Sequence, residues 1–388
     1  MARKRLKIAY LSDFSPLDRN MYSGGNARIY DSLGANVGDV TILPNTWFAA
    51  EPLRRLIHAT PNGVNMRVRW RLHLALAQVV AAGVQRNLRQ DRYDVVFCAY
   101  SFQSLAGLTR PYPLVTAYTS DATNTIFRKS ELGDWHKSSV VGRAFDGWVE
   151  WHERRVMRAA DLLLWPSDWI RTEANALYGL TPETSRVVPW GANIHRPPQK
   201  IVTPEIGRDR QVRLLLVGRD WYTKGGPKAF DTLNALRDEG VDAHLTVIGA
   251  VPPQHHRNAH VTALGELDKS DPAKLAIFDR AMAEAHFMLM PSHESYGFAF
   301  CEASAHGLPA LCHRVGGVPV RNGVNGHALP SGATHEDFAR VVLQYLENPE
   351  GYAALCRSSR KEYEDRLNWD SWGQTVADLL DEQVARLR

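Results

Sequence analysis

The sequence predicts an α/β protein built as two successive domains, each a parallel sheet with helices on both faces. Three observations carry that expectation. Short apolar, β-prone runs alternate with helical patterns along the chain, as strands buried on both faces require. The alternation breaks at a Gly-, Asn- and Pro-containing stretch after Trp190 and then restarts. The length of 388 residues also exceeds one ordinary domain and suits two.

In the first half the candidate strands are Lys7–Leu11, Val40–Leu43, Val95–Ala99, Leu114–Ala117 and Leu162–Trp165. Helical segments lie between them, an Ala-rich one from about Met66 to Leu88 and another from about Val141 to Ala160. Trp190-Gly-Ala-Asn-Ile-His-Arg-Pro-Pro-Gln, followed by a polar run to Gln211, has the composition of a domain linker. The second half then reads as strand Arg213–Val217, helix Pro227–Glu239, strand Ala243–Ile248, a Pro/His loop and a short run near Val261. A helix from about Ala273 to Ala285, strand Phe287–Met290, helix Phe298–Ala305 and strand Ala310–Cys312 complete it. The expected layout is two Rossmann-like domains facing a cleft, with residues 1–195 as the first and 196–369 as the second.

Hydrophobic residues make up 44% and charged residues 23%, the balance of a globular protein. No apolar stretch reaches the roughly 20 residues of a membrane span. The best candidate, Leu72 to Val84, contains His73 and Gln78 and is flanked by arginines. Met1-Ala-Arg-Lys-Arg leads into a strand-like run rather than an apolar leader, so a cytoplasmic location is expected. Cys98, Cys301, Cys312 and Cys356 form no C-x-x-C pair, which points to reduced thiols rather than a zinc ribbon or a disulfide framework.

The net charge of +4 hides an asymmetry: residues 1–195 carry 24 basic and 17 acidic side chains, the remainder 22 and 25. Between Pro52 and Gln90 there are seven arginines and no acid. That stretch has two readings. One is a peripheral contact with anionic membrane at its inner face through Arg67, Arg69, Trp70 and Arg71. The plainer one is a solvated basic helix whose Leu72, Leu76 and Val79 face the core. No nucleic-acid partner is expected.

The strongest local signal is Pro291-Ser-His-Glu-Ser-Tyr-Gly-Phe-Ala-Phe-Cys-Glu-Ala-Ser-Ala-His-Gly-Leu-Pro. A strand ends at Met290, a loop containing Gly297 follows, and a helix opens. Free N–H groups and the positive dipole end of that helix point above the strand ends, where open α/β sheets bind ligands. Glu294 lies in the loop and Glu302 eight positions later. Carboxylates beside such a helix start suit sugar and ribose hydroxyls, which donate hydrogen bonds that carboxylates accept. The ordinary alternative is a loop acid and a solvated helix acid.

The second signal is Val217-Gly-Arg-Asp-Trp-Tyr-Thr-Lys-Gly-Gly, after the first strand of the second half. Arg219 and Lys224 flank a turn that opens with Gly218, and two fixed cations there can neutralise a diphosphate leaving group. A surface turn looks much the same. Two other groups read more plainly. His255, His256 and His260 follow Pro252-Pro253 without a cysteine or carboxylate at ligand spacing, so no metal site is expected. Trp148 and Trp151, three apart on a helix, mark a buried face before a sugar platform.

Together these motifs resemble the GT-B glycosyltransferases, specifically the retaining family 4, also called group 1 transferases. The likeness covers nearly the whole chain. It rests on Val217–Gly225, on Pro291–Gly307 with its Glu-x7-Glu spacing, on Gly316-Gly-Val-Pro with Gly323-Val-Asn-Gly-His-Ala-Leu-Pro, and on Val187-Val-Pro-Trp-Gly-Ala-Asn-Ile. The resemblance implies that Arg219 and Lys224 contact the donor diphosphate and that Glu294 holds sugar hydroxyls, with His293 beside it. It places backbone amides around Tyr296, Gly297 and Phe298 near the sugar and phosphate, and gives the nucleotide ribose to Glu302. Gly24 and Gly25 match a glycine-rich loop approaching the phosphates. Residues 370–388 are implied to form a helix that packs back on the first domain.

Retention at the anomeric carbon, no cofactor and no metal are also implications of the family. The acceptor is then a glycan, a lipid-linked or a small-molecule hydroxyl, and UDP is preferred to GDP or ADP on base rates alone. Many members carry a histidine where this chain reads Ala117-Tyr-Thr-Ser-Asp-Ala-Thr-Asn. Asp121 is the nearest ionisable group, with the expected role of orienting the acceptor or taking its proton; capping the next segment is its bland alternative. A nicotinamide dehydrogenase is disfavoured because Tyr22-Ser-Gly-Gly-Asn-Ala-Arg lacks G-x-G-x-x-G spacing. A nucleotide-sugar epimerase and a non-catalytic sugar-binding subunit stay as competitors.

Overall fold

The computed structural model describes residues 4–44, 46–58, 70–133 and 140–387. Arg67, Arg69 and the start of the helix expected from Met66 lie outside the described residues. The chain divides into two compact units, Met1–Pro189 with Trp369–Arg388, and Trp190–Asn368.

In the first unit the strands are β1 (Leu6–Leu11), β2 (Gly38–Ile42), β3 (Val95–Ala99), β4 (Val115–Thr119), β5 (Leu162–Trp165) and β6 (Ser185–Val187). They form one sheet in the order β2-β1-β3-β4-β5-β6, all parallel. Every residue of β3, β4 and β5 is buried. That is why β3 and β5 read as continuous apolar runs rather than alternating ones. Helix Trp369–Leu387 completes this unit against helix Gly25–Asn36. Ser32 Oγ donates to the Trp369 carbonyl at 2.7 Å, and the Trp372 ring meets Phe97 edge-on at 6.1 Å.

A buried carboxylate, Glu153, ties three helices of this unit together. It accepts the Tyr178 hydroxyl at 2.9 Å and the Thr125 N–H at 3.3 Å. The Tyr178 oxygen also lies 2.6 Å from Thr123 Oγ1, the N-cap of helix Asn124–Lys129. Burial pushes the Glu153 carboxyl above its usual range.

In the second unit the strands are β7 (Val212–Gly218), β8 (Ala243–Gly249), β9 (Val261–Gly265), β10 (Phe287–Met290), β11 (Ala310–His313) and β12 (Gly326–Leu329). The order is β12-β11-β10-β7-β8-β9, again wholly parallel. Alternation along β7 sends Leu214 and Leu216 to one face, with Leu233 and Phe338. Leu215 goes to the other, with Phe278 and Phe300. His286 is buried beneath β7: its Nδ1 accepts the Arg213 N–H at 3.0 Å and its Nε2 donates to the Glu205 carbonyl at 2.9 Å. Desolvation pulls its pKa down to about 4.

Three expectations change. Trp190, read as the start of a linker, is fully buried, in T-shaped contact with Tyr296 at 5.5 Å and stacked on Phe298 at 5.6 Å. Trp151 is not on a buried face; it is 54% exposed, with the Arg155 guanidinium 5.6 Å above its ring. Leu72 and Leu76 pack on the core, but Val79 is exposed. Among the described residues no helix is long and apolar enough to cross a membrane.

Each of the two strand orders contains one reversal point. In the first unit the order reverses between β1 and β3, in the second between β7 and β10. At such a point the loops leaving the two strands run to opposite faces and open a crevice above the sheet.

Candidate functional site

The crevice of the second unit is bounded by residues 219–225, which follow β7, and 291–297, which follow β10. Both motifs singled out in the sequence therefore lie at one topological switch point. Their meeting is an ion pair: Lys224 Nζ donates to Glu294 Oε1 at 2.5 Å, and Ser292 Oγ donates to the same oxygen at 2.9 Å. The Lys224 and Glu294 side chains are 29% and 14% exposed. A Cβ at Gly218 would fall 2.2 Å from Lys224 Cγ. A residue without a side chain is needed there for the lysine stem to cross the strand end.

Gly297 is the N-cap of helix Phe298–Ala305 with φ 90°, left-handed backbone that glycine adopts without strain. The turn exposes the helix start. Tyr296 and Phe298 send their side chains inward: the Tyr296 hydroxyl donates to the Trp190 carbonyl at 2.7 Å, and burial pushes that phenol well above its ordinary pKa. Tyr296 is left with its backbone alone to face a ligand, whereas Phe298 is half-buried against Trp190. His293 is exposed, its ring 5.9 Å from that of His313 and nearly perpendicular to it.

Glu302, in the same helix, is buried and bound by a residue the sequence reading missed. Lys269 Nζ donates to its Oε1 at 2.6 Å and sits 4.2 Å from the centre of the Phe278 ring. Arg219 stands apart from these pairs. It is exposed, and its nearest acid is Glu266 at 3.6 Å, a geometry of little energetic weight. Lys228 was missed too: it bonds to the Ala333 carbonyl at 2.7 Å and lies 3.0 Å from His313 Nε2. Desolvation lowers its pKa. Among the described residues no group of three His, Cys, Asp or Glu is placed to hold a metal. His256 instead accepts the Trp221 indole N–H at 3.0 Å.

Gly24, Gly25 and Asp121 belong to the first unit, at the C-terminal ends of its strands. Gly24 has φ 86° and is preceded by Tyr22 and Ser23 at 52° and 54°, two non-glycine residues in a costly region. The excursion lays Tyr22 on Tyr100, rings 3.9 Å apart and 2° from parallel, at the switch point between β1 and β3. The Tyr22 hydroxyl donates to Asp13 Oδ1 at 3.0 Å. Asp121 follows β4 closely enough that its charge, after burial, is the next cause raising the Tyr100 pKa. A tyrosine directly after a strand was the available signal for this stack.

Known proteins match both units. The family described as glycosyl transferases group 1 matches residues 211–348, and glycosyltransferase family 4 matches residues 32–196. An MMP alpha-(1->4)-mannosyltransferase of Mycolicibacterium hassiacum is 24% identical over 286 residues, 71% of this chain and 67% of that protein. A D-inositol 3-phosphate glycosyltransferase of Saccharomonospora viridis is 28% identical over 260 residues, covering 61% of this chain and 59% of its own length. The chain thus spans less than two thirds of the second relative.

Among solved structures, a sucrose-phosphate synthase from Thermosynechococcus elongatus superimposes with a TM-score of 0.64 at 15% identity, over 99% of this chain and 100% of that one. Anabaena HepE, solved in complex with UDP, gives 0.59 at 16% identity, over 97% and 100%. With two Rossmann-like α/β units, two glycosyltransferase families matching them in sequence and the GT-B fold shared with these structures, the chain belongs to the GT-B-fold glycosyltransferase superfamily.

Proposed function

We propose that this chain is a retaining glycosyltransferase of family 4 that moves a sugar from a nucleotide-sugar donor to an acceptor hydroxyl without a metal. The observation that carries the reading is the Lys224–Glu294 pair at the switch point of the second unit. It puts a cation and a carboxylate within one hydrogen bond of each other beside an open helix start. As the bond from the anomeric carbon to the diphosphate oxygen breaks, Lys224, Arg219 and the amides around Gly297 take up the charge on the leaving group. Glu294 and His293 hold sugar hydroxyls, Glu302 accepts from the ribose, and Gly24 and Gly25 bring backbone toward the phosphates. The acceptor oxygen forms the new bond, and Asp121 orients that hydroxyl or receives its proton.

UDP is the preferred nucleotide, supported by the likeness to a protein solved with UDP. The acceptor is a glycan, a lipid-linked or a small-molecule hydroxyl, and the setting is the cytoplasm. Pro52–Gln90, whose Arg55 and Leu56 are exposed, is a solvated basic stretch, with a peripheral contact with anionic membrane as its second reading. Co-sedimentation with liposomes that ignored anionic lipid content would remove that contact.

A thermal-shift screen of nucleotides and nucleotide sugars tests the main reading, since a true donor stabilises the chain in proportion to RT ln(1 + [L]/Kd). A donor-hydrolysis assay follows. A transferase releases nucleoside diphosphate. An epimerase interconverts donors without release, and a binding subunit is stabilised but never turns over. Unchanged turnover of Asp121→Asn at every pH would withdraw that residue's role.

A further inference from the structure

Both acids of the Glu-x7-Glu segment are already held by a lysine, but the two lysines differ in how they are fixed. Lys224 lies in the turn at the switch point itself. Lys269 comes from the far side of the sheet, in the loop after β9, and it stands on a braced turn. Asp268 Oδ1 accepts the Ser270 N–H at 2.9 Å and the Ser270 hydroxyl at 2.7 Å. The Asp271 N–H bonds back to the Asp268 carbonyl at 3.1 Å, and Asp271 Oδ1 caps the next helix through the Ala273 N–H at 2.9 Å.

The turn therefore delivers the Lys269 ammonium to one place, between the buried Phe278 ring at 4.2 Å and Glu302 Oε1 at 2.6 Å. The Lys269 and Glu302 side chains are 33% and 6% exposed. A carboxylate so buried needs a partner, and removing the partner leaves an uncompensated charge. Glu302 Oε2 has no hydrogen-bond partner among the described residues. The pair thus presents one oriented, charge-balanced acceptor oxygen.

We propose that Lys269 is a specificity-determining positioning residue of the nucleotide site, fixing Glu302 so that Oε2 accepts from ribose hydroxyls and selects ribonucleotides over their deoxy counterparts. The proposal rests on the reading of the chain as a nucleotide-sugar transferase. Lys269 acts through Glu302. A hydroxyl donated to an ionised acceptor makes a strong hydrogen bond, and a site built to receive a hydroxyl rejects the analogue that lacks it. Without Lys269 the carboxylate loses its orientation, and the loss falls on ligands that carry the hydroxyls.

The test is calorimetric binding of UDP, GDP and ADP and of their 2′,3′-dideoxy forms to wild type, Lys269→Gln, Lys269→Arg and Glu302→Gln, and to the Lys269→Gln/Glu302→Gln double variant. Wild type is expected to prefer its ribonucleotide by about 10- to 100-fold, the range of a charge-assisted hydrogen bond. Lys269→Gln should bring that ratio below about threefold by weakening the ribonucleotide alone, Lys269→Arg should keep most of it, and the double variant should match Glu302→Gln. Lys269→Met keeps the stem over Phe278 and replaces Lys269→Gln should the latter lose its fold. A ratio that survives loss of the ammonium, or equal weakening of both ligand classes, overturns the proposal while the transferase reading stands. Absence of any nucleoside diphosphate binding by wild type overturns both.

Discussion

The two units put different chemistry at the same architectural place. Where strand order reverses in the first, two parallel tyrosine rings meet, with Tyr22 pinned to Asp13 and reached through left-handed backbone. Where it reverses in the second, a lysine and a glutamate meet across loops from β7 and β10. Fold alone decides that each crevice exists; residue type decides what it holds. Paired charges suit a diphosphate and hydroxyls, whereas two aromatic rings laid on each other stabilise the contact between them. The second crevice is therefore expected to hold the charged part of the donor, and the aromatic pair of the first to hold its own turn in shape.

The comparison breaks most readily at Lys224. Lys224→Met should lower kcat/KM by about 10²–10³-fold, the range for losing one preorganised stabiliser of leaving-group charge. Steady-state kinetics with a saturating acceptor checks it, and a loss under about fivefold would remove Lys224 from the reaction.

The next effect separates the units by pH. His286 is lowered from 6.5 to about 4 in the folded chain, so its contribution is complete above about pH 6.5 and is lost as pH falls through 4. At 1.36 kcal/mol per pKa unit the loss in the second unit is on the order of 3 kcal/mol. Glu153 is raised from 4.5, so its contribution to the first unit is complete below about pH 4.5 and is lost as pH rises through the higher value. Denaturant unfolding followed between pH 4 and 7 should show opposite slopes in the two units. His286→Asn should flatten one and Glu153→Gln the other.

A smaller effect sharpens the aromatic side. Tyr22→Ala removes the stack on Tyr100, worth about 1 kcal/mol, and should lower the unfolding free energy of the first unit by about that much, as denaturant unfolding would reveal. The smallest concerns Arg219 and Glu266, both largely exposed. Glu266→Gln should change unfolding free energy by less than about 0.5 kcal/mol, so any larger shift in denaturation midpoint would mean that Arg219 is held more firmly than its exposure implies.

Much of the donor side was legible in the sequence because its signals are local. The turn at Gly297, the helix that follows and the eight-residue spacing of the two glutamates lie within one short segment. Partnerships were not legible. Lys224 and Glu294 are 70 positions apart, and Lys269 reaches Glu302 across 33; only the order in which strands assemble brings them together. The edge strands β6, Ser185-Arg-Val, and β12, Gly326-His-Ala-Leu, are only partly buried and carry polar residues or glycine, so no apolar run marks them. Trp190 misled because glycine, asparagine and proline around it imitate a linker, while its own ring fills a hole beside Tyr296 and Phe298. In the first unit the Tyr22–Tyr100 stack depends on three successive left-handed residues, of which only Gly24 advertises that conformation.

Helix Trp369–Leu387 closes the first unit although it follows the entire second one. During synthesis the first sheet emerges before the helix that covers Ser32 and Phe97 exists. All of residues 190–368 can collapse first. The first unit therefore cannot be completed until the whole of the second has been translated, which sets a limit on the usual N-terminal-first sequence. Until Trp369 is released, a nascent chain lacks the helix that packs on Ser32 and Phe97, and that part of the first unit's core is open to water and to chaperones.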